Sequence, residues 1–269
     1  MGMVRISVSL EKSVHENASD YFEKAKRAKK KIEGAELALE NTKKKLKKIE
    51  KKRPEDIEDQ VIKKKTKKEW YEKFRWFFAS TGHLVLGGRD ATTNEILIKK
   101  NTAREDIVFH TDMAGSPFFV IKKNGKEITD DTLQEAANAT AVFSRAWKSG
   151  IASTETFYAY PEQVTKEAQH GEFLPKGAFM VRGKNTYIKP EMDLAIGLFD
   201  NKVMSGPLNA IRTHCKNYIV LEQGEKKPSD IAKDIKKILK GPDSDEIIRV
   251  LPSGGCRVKE VYYEDSQKR

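Results

Sequence analysis

The chain has 269 residues, is 34% charged and 38% hydrophobic, and carries a formal net charge of +11. That length allows one large domain, or one domain and an appendage, with a sizeable core in the globular part. No stretch approaches the ~20 apolar residues of a membrane span. Two cysteines, Cys215 and Cys256, without repeated ligand spacing argue against a zinc site or a disulfide framework and fit a reducing compartment.

The charge is unevenly placed. Residues 1–80 hold 23 Lys and Arg against 14 Asp and Glu, whereas the remaining 189 hold 28 against 26. A positive field concentrated on the first third suits a partner with phosphates. A Lys-rich helix whose charge only keeps it soluble would look the same. The start, MGMVRISVSL, has no apolar signal-peptide core and has Ile6 where a myristoylation motif needs Ser or Thr.

From Val14 to Ile49, apolar and small residues alternate in steps of four and three: Val14, Ala18, Tyr21, Ala25, Ala28, Ile32, Ala35, Leu39, Thr42, Leu46 and Ile49. This is a coiled-coil seam. The helix is expected to be about 50–55 Å long and too poor in buried area to stand without a partner. Arg53-Pro54-Glu55-Asp56 reads as a restart, with a second helix expected over 55–79. Together they predict an antiparallel hairpin arm over 1–80, its unequal arms leaving room for a homodimer. Two lysine runs flank the tip: Lys43, Lys44, Lys45, Lys47, Lys48, Lys51 and Lys52, then Lys63, Lys64, Lys65, Lys67 and Lys68. The aromatic residues Trp70, Tyr71, Phe74, Trp76, Phe77 and Phe78 are expected to end the second helix as a buried root.

Past Gly82 the period becomes that of strands. They are expected at 83–86, 95–99, 106–111 and 118–122, the last closing on the hairpin turn signal Asn124-Gly125. Asp130 or Asp131 is expected to cap a helix over 132–149. Strands at 154–160, 179–181, 186–188 and 194–199 follow. From about Val203 come a short helix at 208–215, a strand at 218–221, a helix after Ser229, and segments 246–250 and 258–263 around Pro252-Ser253-Gly254-Gly255. The fold class is α+β: the helical arm, then a mixed, largely antiparallel sheet with packed helices over 81–202, and an α/β extension of the same body over 203–269.

Several enzyme classes are excluded by motif. The chain has no Gly-x-x-x-x-Gly-Lys-Ser/Thr phosphate loop, no Gly-x-Gly-x-x-Gly and no Gly-x-Ser-x-Gly elbow. His110-Thr111-Asp112 could place two metal ligands on one strand face, but without further ligands a hydrogen-bonded structural histidine is the better reading. Arg89-Asp90 beside Asn94-Glu95 could be acid–base equipment, or a turn held by a local Arg–carboxylate bridge. An enzyme acting on RNA or a nucleotide would need Arg89, Asp90, His110 and Asp112 to converge on one pocket. The remaining inventory suits RNA. Lys99, Lys100, Arg145, Lys148, Lys166, His170, Lys176, Arg182 and Lys184 are interleaved with Trp147, Tyr158, Tyr160, Phe173 and Phe179, giving phosphate contacts and aromatic faces for unpaired bases. Aromatics in the core and scattered surface charge would give the same pattern, and the residues leave both open.

Between residues 70 and 200 an ordered series of motifs resembles a known family. It runs through Trp70-Tyr71-Glu72-Lys73-Phe74-Arg75-Trp76-Phe77, Gly87-Gly88-Arg89-Asp90 with Asn94-Glu95, Asp106-Ile107-Val108-Phe109-His110-Thr111-Asp112 and Gly115-Ser116. It continues through Thr140 to Trp147, Tyr160-Pro161-Glu162-Gln163-Val164, Gly171-Glu172-Phe173-Leu174 and Gly177-Ala178-Phe179-Met180-Val181-Arg182-Gly183-Lys184. This is similar to the NFACT RNA-binding domain, NFACT-R, of the ribosome quality-control factors, and the Lys-rich arm resembles the distal part of that family's middle coiled coil. Thr111, Met113 and Pro117 depart from the family pattern. The resemblance implies the C-terminal portion of such a factor, or a shortened relative, acting in the cytoplasm without cofactor or metal. It also implies binding to rRNA of large ribosomal subunits that carry stalled nascent chains, with tRNA as a further partner. The family's N-terminal domain and helix-hairpin-helix segment, to which tailing of the stalled chain is largely assigned, are absent from these residues. RNA binding without enzymatic or tailing activity is therefore expected, through the lysines 43–45, 47–48, 63–65 and 67–68 of the two runs and through Arg89, Lys99, Lys100, His110, Arg145, Lys148, Lys166, Arg182 and Lys184. A coiled-coil protein-interaction scaffold is the remaining alternative.

Overall fold

The computed structural model describes residues 7–50, 68–113, 115–152, 154–167 and 174–263, with the side chains of 45–50 outside the description. The chain divides into two compact units, residues 1–67 and 68–269.

In the first unit, helix α1 spans Val14–Glu50. Its start is fixed by a reciprocal cap: the Ser13 N–H and hydroxyl donate to Glu16 at 2.7 and 2.8 Å, and the Glu16 N–H donates back to Ser13 Oγ at 3.3 Å. The Asn17 amide and the Tyr21 hydroxyl fold the segment from Ser7 back over the first turns. Ile32 and Leu39 of the seam, and Leu37 beside it, are exposed. Of the second helical arm expected over 55–79, residues 55–67 lie outside the described residues.

The second unit opens differently from expectation. Trp70–Lys73 is a single 3-10 turn and Arg75–Phe78 is strand β1, not a helix end. Consecutive aromatics fit a strand because alternate side chains share a face: Trp76 and Phe78 stand 6.0 Å apart and both meet Phe199. The unit thus begins at Lys68, and residues 68–80 belong to the body.

β1 pairs with β2 (Leu84–Gly87), which pairs with β4 (Phe119–Ile121), then β3 (Ile107–Thr111), β5 (Thr156–Ala159) and β8 (Thr186–Ile188), every pairing antiparallel. The segment expected as a strand at 95–99 is instead inside helix α2, Ala91–Asn101. Asp90 caps it, Glu95 and Lys99 pair one turn apart at 2.7 Å, and Leu97 is fully buried. Ile96 and Ile98 had suggested strand alternation, and the cap overrides it. The turn at Asn124-Gly125 forms, with both residues at positive φ, but it leads into a helix rather than a paired strand. That helix, α3 (Asp130–Val142), is capped by Thr129 instead of Asp130 or Asp131, and it ends before a separate short helix, α4 (Arg145–Lys148). Ser144 caps α4 and breaks what had been expected as one helix.

A small hairpin, β6 (Val164–Thr165) with β7 (Met180–Val181), stands apart from the main sheet. The C-terminal segment builds a second antiparallel sheet in the order β10 (Lys202–Gly206), β9 (Leu194–Phe199), β11 (Tyr218–Lys226), β12 (Cys256–Tyr262). Helices α5 (Leu208–His214), α6 (Pro228–Leu239) and α7 (Ser244–Val250) pack on it. The segment 246–250, for which no element type was expected, lies in α7, and the Asp243–Glu246 capping box starts that helix. One buried cluster runs through both sheets, from Phe74 and Phe77 to Ile219 and Ile235.

Candidate nucleic-acid interface

Antiparallel pairing brings the sequence motifs to one end of the six-stranded sheet. Arg75 faces Gly87, Gly87 faces Phe119, Phe119 faces Phe109, and Thr111 faces Thr156. The start of β1, the Gly87-Gly88-Arg89-Asp90 turn, the 110–116 loop and the start of β5 therefore share that end.

The two glycines are needed for close packing. A Cβ on Gly87 would lie 2.4 Å from the Phe119 ring, and one on Gly88 would lie 1.7 Å from Asn94 Oδ1. That same Asn94 oxygen accepts the Phe118 N–H at 3.2 Å. Asp90 accepts the Thr93 N–H at 2.8 Å as the α2 cap, and this backbone hydrogen bond is the main cause of its lowered pKa. Arg89 does not bridge to Asp90; its Nη2 donates to the Glu72 carbonyl at 3.1 Å.

His110 holds the next loop. Its ring packs 4.2 Å from Phe118, with Nδ1 2.6 Å from the Thr111 carbonyl and Nε2 3.2 Å from the Ser116 carbonyl. Burial lowers its pKa against the opposing pull of those two carbonyls, so the ring is neutral near pH 7 and donates to one of them. The Ser116 hydroxyl donates to the Met113 carbonyl at 2.8 Å, and the Thr111 hydroxyl lies 2.6 Å from Ser116 Oγ. Asp112 lies 3.5 Å from the Tyr187 hydroxyl on β8. Asp90, His110 and Asp112 are thus each engaged in holding local structure. Three surface clefts among the described residues are lined by other side chains, and no cluster of three or more His, Cys, Asp or Glu suited to a metal occurs among the described residues.

Basic residues gather at the same end. The Arg145 guanidinium lies against Gly115, about 3.0 Å from where a Cβ would stand. Arg75 stacks 4.4 Å over the Phe143 ring and donates from Nη1 to the Leu251 carbonyl at 3.0 Å. The Trp147 indole donates to the Gly255 carbonyl at 3.0 Å, and Lys148 backs onto Gly254. Arg75 and Arg249 are not among the residues expected from the sequence to bind RNA: Arg75 lies within the aromatic stretch expected as a helix end, and Arg249 lies in the segment 246–250.

The other expected residues scatter. Lys99 and Lys100 sit at the C-terminal end of α2, near the opposite end of the sheet. Lys166 is turned inward: Nζ donates to the Pro175 and Ala178 carbonyls at 2.9 and 2.8 Å, lies 3.5 Å from Glu95 and covers the Phe179 ring. Arg182 donates to the Glu167 carbonyl, and Lys184 is exposed beside it on the β6–β7 hairpin. Lys43 and Lys44 are exposed on α1, with Lys44 paired to Glu40. Lys68 is exposed at the start of the body. The side chains of Lys45, Lys47 and Lys48, and Lys63, Lys64, Lys65 and Lys67 altogether, lie outside the described residues, as do His170 and Phe173. Trp147 is core, whereas Tyr160 and Tyr187 are about half exposed.

Residues 73–183 match the model of the NFACT protein RNA binding domain. This stretch is an NFACT-R domain. Its limits enclose β1, the Gly-Gly-Arg-Asp turn, the His110 loop and the β6–β7 hairpin, the same motifs that the sheet gathers. The chain is also homologous to ribosome quality control proteins. It is 42% identical over 206 residues to the archaeal Rqc2 homolog aRqcH of Methanocaldococcus jannaschii, covering 73% of this chain and 31% of that protein. It is 37% identical over 180 residues to ribosome quality control complex subunit NEMF of Homo sapiens, covering 65% and 16%. With ribosome quality control complex subunit 2 of Saccharomyces cerevisiae it shares 26% identity over 187 residues, 68% and 18%. The chain spans less than a third of each of these relatives. Among the described residues, no helix is long and apolar enough to cross a membrane.

Proposed function

We propose that this chain is the RNA- and ribosome-binding portion of a ribosome quality-control factor. It engages rRNA of large subunits that carry stalled nascent chains, and it has no catalytic or tailing activity of its own. The observation that carries this reading is the NFACT-R domain at 73–183 in a chain whose excess positive charge lies before residue 80. The lysine-rich arm supplies long-range attraction and phosphate contacts, while the body supplies a rigid docking surface. Cytoplasmic action, contact with tRNA and pairing of the α1 seam with a second copy belong to the same reading.

The test is binding to purified large ribosomal subunits and to rRNA fragments across a salt series. Phosphate contacts release counterions, so affinity falls steeply as salt rises. Charge reversal of Lys43, Lys44 and Lys45 together with Lys63, Lys64 and Lys65 weakens binding and flattens the salt slope. Affinity indifferent both to salt and to that reversal would overturn the proposal.

A further inference from the structure

Three arginines from separate elements meet beside the Gly-Gly-Arg-Asp turn. Arg75 opens β1, Arg89 follows β2, and Arg249 lies in the last turn of α7. They are neighbours: Arg75 faces Gly87, two residues before Arg89, and donates to Leu251, two residues after Arg249. The charge of Arg249 acts on Arg89, and that of Arg89 acts on Arg75. Burial together with Arg89 lowers the Arg75 pKa to about 10.

Three guanidinium groups at close quarters repel, and a fold ordinarily offsets this with carboxylates. Among the described residues no carboxylate forms an ion pair with any of the three, although the charges of Asp90 and Glu72 act on Arg89 from farther off. Glu72 offers Arg89 its backbone carbonyl, and its carboxylate is 2.7 Å from Lys202. Asp90 spends its carboxylate on the α2 cap. The Nε atoms of both Arg75 and Arg89 are shielded from water and lack any hydrogen-bond partner, while other parts of each residue remain partly exposed. Arg249 is exposed. An Nε–H with a neighbouring Nη–H is the fork that grips a tetrahedral oxyanion through two oxygens.

We propose that Arg75, Arg89 and Arg249 form a phosphate-binding site, occupied in function by a backbone phosphodiester of single-stranded RNA. Arg75 is held by Phe143 and Leu251 as a fixed charge at the back, while Arg89 and Arg249 reach the phosphate oxygens. The assignment of the phosphate to RNA rests on the function proposed above; the phosphate chemistry rests on the arginines alone.

The experiment uses the whole chain labelled with 15N, following arginine Nε–H resonances during separate titrations with a 12-nucleotide oligouridylate and with inorganic phosphate. Both ligands are expected to shift the Arg75 and Arg89 resonances and leave in place that of Arg257, which is paired with Glu222 on β12. In parallel, Arg249→Glu is expected to weaken oligouridylate binding roughly tenfold near 0.1 M salt and to lower the salt slope by about one or more, as loss of a phosphate contact requires. Lys237→Glu, the same charge change on exposed α6, should change affinity less than threefold. If the RNA binds while the two resonances stay still and Arg249→Glu binds like wild type, the site is overturned and the RNA-binding reading stands. If RNA fails to bind but phosphate still shifts both resonances, the site stands and the RNA reading falls. If neither ligand moves them, the site is overturned whatever else binds.

Discussion

The carboxylate of Glu95 accepts the backbone N–H of Gly177 at 3.0 Å, tying the α2 helix to a loop 82 residues later in the chain. Gly177 has φ +79, and a Cβ there would lie 2.5 Å from the Ala91 Cα. Backbone cannot yield as a flexible side chain can. Gly177→Ala therefore combines left-handed strain with a collision at the start of α2, a cost of about 2 kcal/mol or more. The thermal midpoint of the variant should fall by several degrees in calorimetry. An unchanged midpoint would mean that the loop does not dock on α2 as described.

The same carboxylate gives a pH signature. Hydrogen bonding from Lys99, then from Gly177, lowers the Glu95 pKa from 4.5 to about 2. A depressed folded pKa contributes stability that is present above the unfolded value and lost as pH falls through the folded one. The contribution of Glu95 is thus complete above about pH 4.5 and disappears between there and about pH 2. Urea midpoints of wild type and Glu95→Gln should differ at pH 7 and converge toward pH 3. A gap of constant size over that range would remove the ionised carboxylate from the explanation.

Asp90 separates a structural from a catalytic reading of the Gly-Gly-Arg-Asp turn. As an N-cap it is replaceable by Asn, which caps equally well, but not by Ala, which costs about 0.5–2 kcal/mol. Asp90→Asn is expected to keep both stability and RNA affinity, with Asp90→Ala losing about 1 kcal/mol in urea denaturation. Should Asp90→Asn abolish a function that leaves the fold intact, an acid–base role would return.

What could be read from the sequence follows the reach of each signal. Strands at 107–111, 119–121 and 194–199, and the 218–221 part of β11, announced themselves through runs of branched and aromatic residues that fill a core. Residues 95–99 misled because Ile96 and Ile98 alternate as in a strand, while the deciding signal was the Asp90–Thr93 cap preceding them. Residues 70–78 misled in the opposite way: Arg75 to Phe78 lack polar alternation because both faces of β1 are covered. The Gly-Gly-Arg-Asp and His110 motifs stood out locally, yet their meeting with Arg75 and Arg249 depends on pairing between residues up to 176 apart. Local periodicity cannot carry that information. Lysines are still harder: Lys166 and Lys184 look alike in the chain, and only packing turns the first inward.

His110 supplies the last prediction. Its ring sits between the Thr111 and Ser116 carbonyls and against Phe118, so it fastens the loop that carries Asp112 and Gly115, on which Arg145 rests. Burial holds its pKa below the ordinary 6.5. The unfolded chain therefore binds a proton more readily than the folded one, and stability is complete above about pH 6.5 and declines as pH falls through the lower folded value. His83, also buried with a lowered pKa, adds a decline of the same sign, so wild type alone cannot isolate the loop. Comparison with His110→Gln can: the variant is expected to be less stable than wild type at pH 7.5 and to lose less between pH 7.5 and 5. Amide exchange at Met113 and Ser116 should accelerate at pH 5 in wild type, beyond the intrinsic pH dependence of exchange, because protonating the ring favours water over the apolar face of Phe118. Parallel pH profiles for wild type and His110→Gln, with no added exchange in the loop, would show that His110 only fills space there.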